Sequence, residues 1–197
     1  MMPLFFFGAM SPYSWFAAER IGELLPQARW RGVFAGALFK ANGRVSWGLT
    51  ERREQGIADC RARAAAHGLG PIHWPDPWPT SDLLIARAIA YAGRCEGGGQ
   101  GVLRPFALAA MRLAFLEGAD LAELDVVLEA GRRCNIDADG LRDALAHPSV
   151  KHALRDTTDQ ALALGVFGVP TIVVGKELFW GDDRLEQAAG AYASASA

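Results

Sequence analysis

Charge imbalance is what this sequence most nearly lacks. Its 197 residues carry 20 lysines and arginines against 22 acidic residues, a formal net charge of -2. Affinity for nucleic acid is driven by a basic excess that displaces counterions from phosphates, so the composition argues against such a partner. Disorder needs low hydrophobicity together with high net charge; at 51% hydrophobic residues the chain has neither, and it can bury a core. Cysteine is scarce too. Cys60, Cys95 and Cys134 are odd in number and far apart, which fits neither a disulfide framework nor a CxxC metal or redox pair and points to a reducing, cytoplasmic setting.

Other signatures are missing as well. The opening is uncharged as far as Arg20, but Leu4-Phe5-Phe6-Phe7 is short, has no basic stretch before it and is followed by the breaking segment Ser11-Pro12-Tyr13-Ser14. Neither a signal peptide nor a membrane span is expected. His67, His73, His147 and His152 show no His-Glu-x-x-His spacing and no cysteine at ligand distance, so no metal is expected. The glycine-rich run Cys95 to Gly101 lacks the Gly-Lys-Ser/Thr ending of a phosphate loop and reads as a flexible interhelical loop. Trp74-Pro75-Asp76-Pro77-Trp78-Pro79 reads as a rigid loop packed beside a cleft.

What is present has a clear order. Residues 3–9 form an apolar, aromatic run of the kind found in a buried strand. Ser11 then stands where an N-cap should, with Pro12 at the first helical position, and Trp15, Ala18, Ile21 and Leu25 supply an apolar stripe that stops near Pro26. Arg29 to Ala35 reads as a second strand. The middle is helical: one helix capped by Thr50 and running to His67-Gly68, one capped by Ser81, one from Phe106 to Glu117, one opened by the capping-box pair Asp120 and Glu123, and one opened by Pro148 and ending near Gly165. Pro170 to Val174 and Glu177 to Trp180 then read as a hairpin turned at Gly175-Lys176. A last helix starts near Asp182, with Leu185, Ala188, Ala189 and Tyr192 at helical spacing and a frayed tail from Ala193 to Ala197. The layout is β-α-β, a long helical insert, then β-β-α: an α/β, thioredoxin-like fold with residues 1–43 and 157–197 forming a discontinuous domain around an inserted all-helical domain, 44–156.

The tetrad Ser11-Pro12-Tyr13-Ser14 has the spacing of a C-P-Y-C redox motif with both sulfurs replaced by hydroxyls. Dithiol exchange is excluded, because no thiol can form the mixed disulfide. The helix N-terminus still offers free N–H groups and a positive dipole end to an anion, including a thiolate supplied by another molecule. In isolation, Ser11 is an ordinary N-cap.

The stretch Phe6-Phe7-Gly8-Ala9-Met10-Ser11-Pro12-Tyr13-Ser14-Trp15, the run Gly165-Val166-Phe167-Gly168-Val169-Pro170-Thr171 and the segment Glu177 to Leu185 resemble the 2-hydroxychromene-2-carboxylate isomerase family, whose relatives are kappa-class glutathione transferases and DsbA-like proteins. The resemblance implies glutathione as cofactor, with the Ser11 hydroxyl donating a hydrogen bond to its sulfur. Pro170 matches the cis-proline position of thioredoxin-like folds; if the bond is cis, the peptide groups of Val169 can pair with the cofactor as a short added strand, whereas a trans proline would merely start a strand. Asp183, with Asp182 beside it at the start of the last helix, is the candidate for the γ-glutamyl ammonium, though both can simply cap the helix. Lys40 and Arg87 are candidates for the carboxylate of a small aromatic substrate, and Tyr13 and Trp180 for the pocket walls. Relatives are often dimers, so a homodimer is among the implications.

The sequence departs from the family at two places. Gly8 and Ala9 replace the usual Asp and Phe, which is expected to open space beside Ser11, and Arg44-Val45-Ser46-Trp47 replaces an Asn with a proline-rich turn. The resemblance thus implies a glutathione-dependent cis-trans isomerase of aromatic breakdown. The alternatives are a kappa-like glutathione transferase, in which the adduct leaves as product, and a non-catalytic thioredoxin-like module.

Overall fold

The computed structural model describes residues 2–95 and 99–196. Four strands form one mixed sheet in the order β2-β1-β3-β4. β1 (Leu4–Phe7) runs parallel to β2 (Arg29–Gly32) and antiparallel to β3 (Thr171–Val174), which pairs in turn with β4 (Glu177–Trp180). The expected β-α-β and β-β-α halves therefore meet at β1, in register Leu4 to Val173 and Phe6 to Thr171. Between β1 and β2 lies α1 (Pro12–Leu24); after β4 comes a 3-10 turn, Asp182–Arg184, leading into α9 (Leu185–Ser196). Helix thus persists through the expected frayed tail as far as Ser196, and Ala197 lies outside the described residues.

β1 has no solvent face. Phe5 and Phe7 point to one side, where Trp30 meets both edge-on at 5.1 and 5.5 Å, while Phe6 points to the other, among Val33, Leu38, Ala161, Val166 and Val173. All three phenylalanines are fully buried, each contributing about 1.5–3 kcal/mol. β3 alternates in the same way, Ile172 and Val174 on the first side and Val173 on the second, as the two-residue period of a strand requires. Helices must cover both faces.

The intervening helices are α2 (Ala35–Ala41), α3 (Arg53–Ala66), α4 (Leu83–Ala92), α5 (Gln100–Glu117), α6 (Leu124–Arg133), α7 (Ala138–Ala146) and α8 (Pro148–Ala163), with a 3-10 turn at Trp47–Leu49. Four differences from the expected boundaries have identifiable causes. β2 ends at Gly32 rather than Ala35, because α2 begins there with its first amide bonded to Asp82 Oδ2 at 2.9 Å. α5 starts six residues before Phe106 and carries Pro105 inside it: the Gln100 side chain exchanges hydrogen bonds with both the N–H and the C=O of Trp30, and Arg104 reaches the carbonyls of Pro26 and Ala28, so tertiary anchors override the helix-breaking proline. Gln100 and Gly101 are therefore helical; residues 96–98 of the glycine-rich run lie outside the described residues. Asp120 does not cap α6, since its Oδ1 accepts from Thr80 and from the amide of Ala122 while the helix opens at Leu124. Thr50 precedes α3 but spends its hydroxyl on the Trp47 carbonyl and the Arg52 amide.

Aromatic contacts tie the helices to the thioredoxin-like half. Trp15 on α1 stacks with Phe115 on α5 at 5.6 Å, Phe115 meets Trp74, and Trp74, Trp78 and Trp47 touch in sequence at 4.6 and 4.9 Å. The Trp47 indole lies flat on Gly56 of α3, where a Cβ would overlap the ring. Among the described residues no helix is long and apolar enough to cross a membrane.

Gly56 and Gly22 are both helical, and they should respond oppositely to alanine. Gly56→Ala lowers stability by about 1–3 kcal/mol, since displacing Trp47 outweighs the propensity gain of about 1 kcal/mol. Gly22→Ala, whose Cβ would meet nothing within 4 Å, raises stability by about 0.5–1 kcal/mol. Thermal unfolding of the two variants checks this; shifts of the same sign would contradict the packing.

Candidate functional site

At the C-terminal end of β1 the chain turns into α1, and a cavity of about 740 Å³ opens beside that turn. The turn contributes Ser11 and Tyr13, α2 contributes Lys40, the segment leading to α3 contributes Arg44 and Trp47, and the hairpin contributes Val169 and Trp180. Trp78 and Pro79 also line it, so the proline-rich loop does pack beside the cleft. Space beside Ser11 is not opened by the missing side chain at Gly8, contrary to expectation: a Cβ there would lie 3.1 Å from that of Ala35 and 3.4 Å from Val169 Cγ2. Ala35 of α2 and Val169, just before β3, occupy the space next to Gly8.

The two serines of the tetrad have separate roles. Ser14 is fully buried, and its Oγ accepts from the Gly8 amide at 3.4 Å. Ser11 is half-exposed on the cavity wall and caps α1, its Oγ accepting from the Ser14 amide at 3.3 Å. An N-cap uses only the oxygen's lone pair; among the described residues no acceptor takes the Ser11 hydroxyl hydrogen. That hydrogen is left to donate into the cavity. The Tyr13 hydroxyl, by contrast, donates to Asp59 at 3.0 Å, and burial pushes its pKa far up, with Cys60 adding to the effect. Tyr13 therefore offers the cavity a ring.

Three cations line the cavity, Lys40, Arg44 and Arg52, against the carboxylates of Glu51 and Asp82. The Arg44 guanidinium rests over the rings of Trp180 at 4.8 Å and Phe167 at 5.3 Å. Those rings contact each other at 5.0 Å, and the Trp180 indole in turn lies against Gly168, where a Cβ would sit 2.7 Å from Nε1. The result is an aromatic shelf holding an arginine that has no acidic partner among the described residues. Nothing in the sequence marked Arg44 as a site residue except the departure itself.

Asp82 was also missed. It is 7% exposed, and burial raises its carboxyl to about 6 despite hydrogen bonds from the amides of Ala35 and Gly36. In sequence it is one acidic residue beside Ser81 ahead of a helix; only the fold carries it to the start of α2.

The other nominated residues lie apart from the cavity. Arg87, on α4, is half-buried and not part of the wall. Asp182 is 2% exposed and bonds Arg63 at 2.9 Å, with His67 Nε2 at 3.6 Å from its second oxygen; burial pushes its carboxyl up even against Arg63. It pins the 3-10 turn to α3, a structural use of the charge. Asp183 is exposed and, like Pro170, absent from the wall. The Val169–Pro170 peptide is cis.

No thiol of the chain is activated. Burial holds Cys60 up to about 12 and also raises Cys95 and Cys134. Among the described residues no group of histidine, cysteine and acidic side chains is arranged to hold a metal.

A DsbA-like thioredoxin domain model matches residues 4–193. The chain belongs to that family. It is 26% identical to a 2-hydroxychromene-2-carboxylate isomerase of Sphingobium xenophagum, over 92% of this chain and 93% of that protein, and 26% identical to human glutathione S-transferase kappa 1, over 92% and 86%. A solved 2-hydroxychromene-2-carboxylate isomerase superimposes with a TM-score of 0.85 at 20% identity, covering 100% of this chain and 96% of the other. The family model spans the serine tetrad and the hairpin, and both sequence relatives match nearly the whole chain.

Asp82 predicts a pH dependence. A carboxyl raised in the fold is stabilised in its neutral form, so the contribution of Asp82 is greatest below its unfolded pKa near 3.9 and falls as pH rises through about 6, by about 3 kcal/mol in all. Asp82→Asn removes that term. Urea unfolding at intervals from pH 4 to 7 should show wild type losing stability relative to the variant; a pH-independent difference would contradict the assignment.

Proposed function

We propose that the protein is a glutathione-dependent cis-trans isomerase of the 2-hydroxychromene-2-carboxylate type, acting on a small aromatic carboxylate. The observation that carries this reading is the Ser11 hydroxyl hydrogen, unclaimed at the wall of a cationic cavity in a chain whose own thiols are held protonated. The relatives of both kinds, isomerase and kappa transferase, support glutathione as the source of the missing sulfur.

Bound there, glutathione would supply the thiolate that adds to the conjugated substrate, makes its double bond single for rotation, and leaves again unchanged. Ser11 lowers the pKa of that sulfur. A hydrogen bond to a charged partner contributes about 1.5–3 kcal/mol, or about one to two pKa units from an ordinary thiol near 8.5. Val169 lies on the cavity wall beside Ser11 and offers the cofactor backbone to pair with. Lys40 and Arg44 balance the carboxylates of cofactor and substrate, and Tyr13, Trp47 and Trp180 give a flat aromatic ligand apolar walls. On this reading the cavity lies between a discontinuous thioredoxin-like unit, 1–43 with 157–197, and an inserted helical unit, 44–156. Cytoplasmic placement and a homodimer belong to the same proposal, the first supported by three free cysteines.

The kappa relative favours a second reading, a transferase in which the thioether is retained and released as product. Ser11→Ala should lower kcat/KM about 10- to 100-fold with an unchanged far-ultraviolet circular dichroism spectrum, and unchanged turnover would overturn the role of Ser11. The decisive assay mixes the protein with 2-hydroxychromene-2-carboxylate and glutathione and follows absorbance together with free thiol. Constant thiol during turnover supports isomerisation, and loss of one thiol per turnover supports transfer.

A further inference from the structure

A second cavity, of about 440 Å³, lies against β2 and shares no residue with the first. Arg29 and Arg31 enter it from β2, Arg94 from the end of α4, Gln100 from the start of α5 and Thr157 from α8. Arg29 and Arg31 are two residues apart on a strand and so share a face, opposite to Trp30, whose ring is occupied with Phe5 and Phe7. Three cations therefore converge on one concavity, and no acidic residue is among those that line it.

Among the described residues these charges have no counterion. Among the described residues neither Arg29 nor Arg31 forms an ion pair, and Arg94 donates only to the Ser149 carbonyl, at 3.3 Å. Arg31 is half-buried, and its Nε is buried with no hydrogen-bond partner. Burial, and then the neighbouring Arg29, push its guanidinium below the ordinary arginine value. Among the described residues a half-buried guanidinium thus sits beside a like charge, an arrangement that is unfavourable unless an anion completes it.

We infer that this cavity binds a phosphate-bearing small molecule, with Arg29 and Arg31 holding its phosphoryl oxygens. Two guanidinium forks side by side suit an anion that concentrates more than one charge and several acceptor oxygens on a single centre. The volume is that of a small-molecule site. Gln100 is committed to the backbone of Trp30 and the Thr157 hydroxyl donates to the Ala153 carbonyl at 2.9 Å, so recognition of the rest of the molecule falls to Arg94.

The test titrates inorganic phosphate, pyrophosphate and citrate, at constant ionic strength, into wild type, Arg31→Met and Arg29→Gln, following heat and melting temperature. Arg29 is exposed, so its variant keeps the fold even if Arg31→Met does not. Saturable binding of pyrophosphate at one per chain, with a raised melting temperature, at least tenfold weaker in the variants, supports the site. Absence of saturable binding to wild type, equal affinity in wild type and Arg29→Gln, or citrate binding as tightly as pyrophosphate would overturn it.

Discussion

β1 is buried on both faces, and the remaining architecture answers to that constraint. Phe5 and Phe7 demand cover on one side and Phe6 on the other, so a single helical layer would leave an aromatic ring in water at a cost of about 1.5–3 kcal/mol. The strand also needs hydrogen-bonding partners along both edges, and it finds them in β2, immediately after α1, and in β3, more than 160 residues later. Bringing the hairpin to that edge is what carries Val169 and Trp180 to the turn that holds Ser11. The cavity exists because the centre of the sheet must be closed by the far end of the chain.

Asp82 makes the second long-range connection. A helix as short as α2 cannot satisfy its own first amides, and no local side chain caps it. A carboxyl from the start of α4 does so instead, and its burial raises its pKa to about 6. That bond anchors the start of the helix that carries Lys40, one of the three cations on the cavity wall. The Arg63–Asp182 pair works similarly at the other edge of the sheet, joining the 3-10 turn ahead of α9 to α3. In both cases a buried acid joins two elements that are far apart in the chain.

Much of this was legible in the chain order. The aromatic run before Ser11-Pro12, the apolar spacing of Trp15, Ala18 and Ile21, and the β-branched segment after Pro170 mark local periodicities that burial then uses directly. Elements fixed by distant partners were not legible. α2 lacks a local cap, α5 crosses a proline because Gln100 and Arg104 are anchored on the chain around β2, and Asp120 answers Thr80 rather than the helix beside it. Among the cavity-lining residues, Ser11, Tyr13, Lys40 and Trp180 could be nominated from motif and type, whereas Arg44 is set on its shelf only by Phe167 and Trp180, and Arg87 is not part of the wall.

By itself the sequence determined that strands from both ends of this chain are separated by a run of helices, and that its redox motif has lost both sulfurs. These follow from residue type and short-range spacing. The tertiary structure decided which serine faces the cavity, which acids are consumed by arginines and helix ends, and where cations remain unpaired. Those outcomes depend on contacts between residues tens to more than a hundred positions apart, and pairing across such distances is set by the packing of the whole chain.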